Sequence, residues 1–177
     1  MFNTLLEALY FIAPAGIAQL FAFFVVILNL PDNEPINVKF FGLKETWYGI
    51  IAGSIGAVFT LIIQSYFYDQ EFFYSISILD YSSLNIIVLG LIFAFGSIGG
   101  NLIKAFFKQK LGKKENENWF PFDQLDYVLG TLLLFSLIYF SQLPVWYEII
   151  TLLIAMPFVH LSVSFLGYVF RLKNEWR

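Results

Sequence analysis

The sequence predicts an all-α, polytopic integral membrane protein: one transmembrane domain over residues 1–177, built as a bundle of five helices. Its composition, 59% hydrophobic and 13% charged with a mean hydropathy of +0.73, leaves more apolar surface than a soluble chain of this length can hide. The apolar residues come in long unbroken runs, without the two-residue alternation that a membrane strand barrel requires. All ten Lys and Arg residues fall in the first and third connections or the tail, so that they gather on one side of a membrane.

A helix needs about 20 apolar residues to cross the hydrocarbon core. Five runs meet or approach that length: Leu5 to Leu30, Trp47 to Tyr68, Leu84 to Ile103, Tyr127 to Leu143 and Trp146 to Phe170. The fourth is the shortest. The first connection carries Lys39 and Lys44, the third carries Lys104, Lys108, Lys110, Lys113 and Lys114, and the tail carries Arg171, Lys173 and Arg177. The N-terminus and the second and fourth connections carry none, and the second adds Asp69, Glu71 and Asp80. The positive-inside rule therefore predicts an outside N-terminus, a cytoplasmic C-terminus and two cytoplasmic loops, residues 31–46 and 104–126. The first run has no basic region before it and no small-residue cleavage site after it, so it is expected to stay as a membrane helix.

Gly49, Gly53 and Gly56 in the second run, and Gly96 and Gly100 in the third, have the small-residue spacing that lets helix backbones approach in lipid. Packing explains them better than a ligand does. Trp47, Trp119, Trp146 and Trp176 stand at segment ends as interfacial anchors. The chain has no cysteine, which excludes disulfides, thiolate chemistry and Cys-based zinc sites.

Chemistry concentrates in the third connection, GGNLIKAFFKQKLGKKENENWFPFDQLDY. Asn101, Lys104 and Lys108 recur at helical spacing, so the third helix is expected to continue beyond the membrane with these residues on one face. The five lysines form a positive field that suits anionic headgroups at about 1 kcal/mol each, the reading charge alone favours, or a polyanion such as a nucleoside triphosphate. Asp123 and Asp126 lie three apart at the start of the next helix. One reading makes Asp123 an N-cap and Asp126 a partner of the helix dipole. The other has both carboxylates hold Mg²⁺, whose octahedron is completed by water and substrate phosphates.

This stretch resembles the signature of the CDP-archaeol synthases, membrane cytidylyltransferases similar to the bacterial CDP-diacylglycerol synthases. Gly100, Lys104, Lys108, Pro121, Phe122, Asp123, Gln124 and Asp126 match it. GLKETWYG resembles the family's first loop at Gly42, Thr46, Trp47 and Gly49, and the chain's end resembles the family's at Pro157, His160, Tyr168, Lys173 and Trp176. The resemblance implies Mg²⁺-dependent transfer of CMP from CTP to an isoprenoid glycerol-ether phosphate at the cytoplasmic face of the cell membrane. It assigns catalysis to Lys104, Lys108, Asp123 and Asp126, metal binding to Asp123, Asp126 and Asn101, and substrate binding to Lys44, Thr46, Lys110 and Gln124. The expected partners are CTP, a lipid phosphate and the bilayer, with no nucleic acid.

The chain departs from the family pattern at several of these places. Asn101 stands where the family has an acid, Ala105 where it has serine, and Gln109 where it has the first arginine of a basic pair. Glu45 replaces a lysine and Tyr48 an arginine, while Asn37 aligns with a family aspartate. Glu45 reverses a charge expected to face phosphate. A working enzyme and a homologue that binds nucleotide or lipid without turnover therefore both stay open, as do ether and ester lipid tails. A small transporter fits less well, because the charges cluster at one mouth rather than the midplane and no repeat is visible.

Overall fold

The computed structural model describes every residue except Met1, Asn29, Glu115, Asn116, Asn118 and 170–177. The tail residues Arg171, Lys173, Trp176 and Arg177, part of the charge pattern and of the resemblance, thus lie outside the described residues. Among the described residues seven helices follow in order: α1 (Phe2–Leu28), α2 (Val38–Phe41), α3 (Trp47–Phe67), α4 (Glu71–Ser75), α5 (Ile86–Lys110), α6 (Phe122–Ile138) and α7 (Trp146–Val169). A 3-10 turn, Phe140–Gln142, links the last two. The described residues contain no sheet, only one isolated antiparallel bridge between Pro35 and Thr46.

Four helices, α1, α3, α5 and α7, are long and apolar enough to cross a membrane. The fourth predicted crossing differs. Its helix, α6, has 17 residues, begins five positions before the predicted start and ends at Ile138 rather than Leu143. At 1.5 Å per residue it spans about 26 Å, just short of a hydrocarbon core of about 30 Å. Its end has a local cause: Pro144 disfavours helical backbone at Leu143, and the chain tightens into the 3-10 turn before it. As expected, α5 does run on past the predicted end of its apolar segment, carrying Asn101, Lys104 and Lys108 with it.

The spaced glycines are where helices meet. Gly53 of α3 faces the backbone of Ala18 in α1, and Gly56 faces the ring of Phe21. Gly90 of α5 sits against Val58 of α3. The closest approach joins α5 and α6, where Gly96, Gly100 and Gly130 let the two backbones touch. Phe11, Phe93 and Phe135 bring α1, α5 and α6 together through edge-on ring contacts of 5.2, 5.4 and 5.8 Å between centroids. Gln19 Nε2 donates to the backbone oxygen and Oγ of Ser97, each at 3.0 Å, and the Ser97 hydroxyl donates to the Ala15 carbonyl. These bonds satisfy polar groups where lipid offers no alternative. Helix α7 lies along α1 and α6. Glu148 is buried, its Oε2 accepting the Val145 N–H at 2.8 Å.

Two features of the first connection matter for the site. Ile36 N donates to the Glu45 carbonyl at 2.8 Å and Trp47 N to the Glu34 carbonyl at 3.2 Å, so the ends of the loop are tied together. Thr46, 6% exposed, is the N-cap of α3, its hydroxyl accepting the Gly49 N–H at 3.1 Å. Loss of such a cap costs about 1 kcal/mol. Thr46→Ala is therefore expected to lower the thermal midpoint in detergent by about 2–4 °C, with Thr46→Ser restoring it. An unchanged midpoint in the alanine variant would refute the capping role.

Candidate active site

The site forms where the end of α5 meets the start of α6. Because α5 continues as a regular helix, Lys104 and Lys108 are one turn apart on a single face. After α5 the chain reverses direction into α6. Gly112, at φ 67°, takes the left-handed conformation that favours glycine. Lys113 Nζ bonds Glu117 Oε1 at 2.6 Å, and this contact holds the Glu117 carboxyl below its ordinary pKa range. Helix α6 therefore starts beside Lys104 and Lys108, with Asp123 and Asp126 one turn apart in its first turns.

The four charged groups pair in a definite way. Lys104 Nζ lies 2.6 Å from Asp126 Oδ2 and 3.7 Å from Asp123 Oδ1. Lys108 Nζ lies 2.9 and 3.0 Å from the two oxygens of Asp123 and donates to the Glu117 carbonyl at 2.7 Å. Asp123 Oδ2 also accepts the Trp119 N–H at 2.6 Å, and Asp126 Oδ1 accepts the Tyr127 N–H at 2.7 Å. The N-cap position belongs to Pro121, so Asp123 ties the preceding loop to the helix instead of capping it by its own position. The Asp126 side chain is only 6% exposed, which strengthens its pairing with Lys104 relative to a surface ion pair.

The lysines differ in what they face. Lys104 and Asp126 line a cavity of about 430 Å³ whose other walls are Ile103, Phe107, Trp119, Phe122, Leu129 and Leu133, floored by Gly100 and Gly130. Lys108 is buried behind it, bonded to Asp123 and the Glu117 carbonyl. The result is an apolar groove with one ammonium–carboxylate pair among its walls.

The remaining predicted residues are spread around this centre. Gln124 is almost completely buried on α6, while Lys44 and Lys110 are exposed. Thr46 caps α3. Asn101 Nδ2 donates to both carboxylate oxygens of Glu45 at 3.0 Å each, so two of the departures from the family pattern meet in space. Glu45 in turn lies within electrostatic reach of Lys104. Neither this contact nor the groove was foreseeable from spacing, since Glu45 and Asn101 stand 56 residues apart.

The donor set fits Mg²⁺ of the kind completed by substrate phosphates. Two carboxylates stand side by side with a cation, the Lys104 ammonium, already held between them. Mg²⁺ typically takes one or two protein carboxylates. Among the described residues no third acidic or histidine ligand converges on them, and the Asn101 amide nitrogen is turned to Glu45.

Helices long and apolar enough to cross a membrane, with a lysine–aspartate centre beside an apolar groove, are the features of a membrane protein with a charged site at one end of its bundle. The family model described as CarS-like, CDP-archaeol synthase, matches residues 1–177. The chain is 29% identical over 140 residues to a CDP-archaeol synthase of Methanoregula boonei, covering 77% of this chain and 81% of that one. It is 32% identical over 143 residues to the one of Methanoculleus marisnigri, covering 77% and 80%. With the one of Pyrobaculum aerophilum it shares 35% over 92 residues, covering 50% and 54%. No solved structure gives a significant match. The chain belongs to the CDP-archaeol synthase family, membrane cytidylyltransferases of lipid biosynthesis.

Proposed function

We propose that this protein transfers CMP from CTP to a membrane lipid phosphate of the digeranylgeranyl-glyceryl type, releasing pyrophosphate, with Mg²⁺ as cofactor. The observation that carries this reading is the groove: apolar walls, accessible to a hydrocarbon chain, with Lys104 and Asp126 among them. A lipid tail fits the walls, and its phosphate then lies beside the ammonium. CTP approaches from the aqueous end of α5, past the exposed Lys110.

In the reaction, an oxygen of the lipid phosphate forms a bond to the α-phosphorus of CTP. The bond to the bridging oxygen of the β-phosphate breaks, and its electron pair leaves with pyrophosphate. Little covalent help is needed, so the protein contributes position and charge. Lys104 exchanges its carboxylate partners for phosphate oxygens and neutralises charge as the bond forms. Lys108, fixed to the Glu117 carbonyl, holds Asp123 in place. Asp123 and Asp126 would hold Mg²⁺, with Asn101 nearby on α5. When bound, that ion supplies Lewis-acid stabilisation of the phosphates. Thr46 sets the start of α3, Lys44 and Lys110 add positive potential for the triphosphate, and Gln124 supports the start of α6.

Five crossings, an outside N-terminus and a cytoplasmic C-terminus follow from the lysine distribution, with α6 as the short fourth crossing. The site then faces the cytoplasm, where CTP is made. The test is direct. Purified protein in detergent receives Mg²⁺, labelled CTP and either an archaeal-type ether phosphate or phosphatidic acid. Mg²⁺-dependent CDP-lipid formed faster from the ether phosphate is expected. Preference for phosphatidic acid would replace the lipid assignment. No product with either, from folded protein, would mean a member that has lost turnover.

A further inference from the structure

Glu45 is absent from the set of residues just given roles, yet its surroundings are specific. Its backbone is pinned from both sides: Ile36 N donates to its carbonyl at 2.8 Å, and the next residue, Thr46, bridges Pro35 and caps α3. The Asn101 amide, from a different element, reaches both of its carboxylate oxygens at 3.0 Å. A carboxylate held at its backbone and at both oxygens has little freedom to turn away. It lies in the field of Lys104, which is bonded to Asp126 at 2.6 Å and stands 3.7 Å from Asp123.

Lys104 is thus an ammonium on a flexible four-carbon stem, with two carboxylates of α6 beside it and Glu45 of the first loop held on Asn101, one turn earlier on the same helix face. Asp123 is largely engaged by Lys108 and the Trp119 N–H. Asp126 therefore binds Lys104 from the α6 side, and Glu45 attracts it from the α3 side. Remove the second attraction and the ammonium is held by the α6 carboxylates alone.

We infer that Glu45, displayed by Asn101, is a positioning residue for the transfer: it acts through Lys104 and sets where the ammonium meets the lipid phosphate. This rests on the function proposed above. The acid that reverses the expected charge in the first loop is then a working part of the site. Asn101 serves as the donor that aims it.

The experiment compares steady-state kinetics and thermal unfolding of wild type, Glu45→Gln, Asn101→Asp, and the two changes combined. Glu45→Gln keeps an amide-to-amide hydrogen bond but removes the charge. It is expected to lower kcat about tenfold, with KM for CTP within about twofold and the thermal midpoint unchanged. Asn101→Asp places two carboxylates face to face and is expected to lose more. The double variant restores one amide donor and one carboxylate with their places exchanged. It is expected to recover to within about threefold of wild type, because the field at Lys104 returns. A role limited to tethering the loop would move the midpoint and leave kcat alone. Wild-type kcat in Glu45→Gln, or a folded double variant that fails to recover, overturns the inference while the proposed function stands. Absence of turnover in wild type itself refutes the function, and the inference with it.

Discussion

Asp126→Asn is expected to lower CDP-lipid formation by at least about a hundredfold while leaving the protein folded. The change is nearly isosteric, and the amide oxygen can still accept the Tyr127 N–H that Asp126 Oδ1 accepts now. What it loses is the charge 2.6 Å from Lys104, in a side chain only 6% exposed. Breaking a buried pair by removing one partner can cost about 3–5 kcal/mol. Here the loss is cushioned, because Lys104 keeps Asp123 at 3.7 Å and is itself partly exposed. The stability change should therefore be small beside the change in turnover. A neutral amide binds Mg²⁺ far more weakly than a carboxylate does, so Mg²⁺ titration should show a raised requirement along with the lower rate. Asp123→Asn should behave alike, with an added effect on the loop that its carboxylate ties through the Trp119 N–H. Wild-type turnover in both variants would remove the metal role proposed for these acids.

Gly100→Ala should be among the most damaging methyl groups that can be added to this fold. A Cβ there would overlap the Asp126 carbonyl oxygen and lie 2.8 Å from its carbon and 3.2 Å from Gly130 Cα. These are backbone atoms on the neighbouring helix, so no side chain can rotate to make room. The helices must separate at the point where α6 presents Asp126 to Lys104. Overpacking of this kind costs about 1–3 kcal/mol or more, and the displacement falls directly on the site. Thermal midpoint and turnover should fall together. Gly99→Ala, one position earlier on the same helix, is the control: an added Cβ meets nothing within 4 Å there. It should gain up to about 1 kcal/mol from helix propensity and keep full activity. Equal behaviour of the two variants would show that close packing of α5 on α6 does not hold the site.

The contrast between those two glycines marks how far local pattern carries. The long apolar helices and the continuation of α5 through Asn101, Lys104 and Lys108 follow from composition and helical period. These are properties of neighbouring residues, and a bilayer enforces them one segment at a time. Asp123 and Asp126 share a turn for the same reason. The small-residue spacing marks Gly96 and Gly100 as contact points, yet it does not name Gly130 and Asp126 as what they touch.

Partner choice came from packing. Which lysine lines the groove and which is locked behind it depends on how far α6 starts along α5, set by the reversal through Gly112 and the Lys113–Glu117 contact. The early end of α6 depends on the turn before Pro144, and the groove exists only because two glycine-bearing helices touch beneath it. By itself in the sequence Glu45 is an adverse charge opposite a phosphate; the fold gives it Asn101, 56 residues away, as a partner, because a charge takes its meaning from what surrounds it in space.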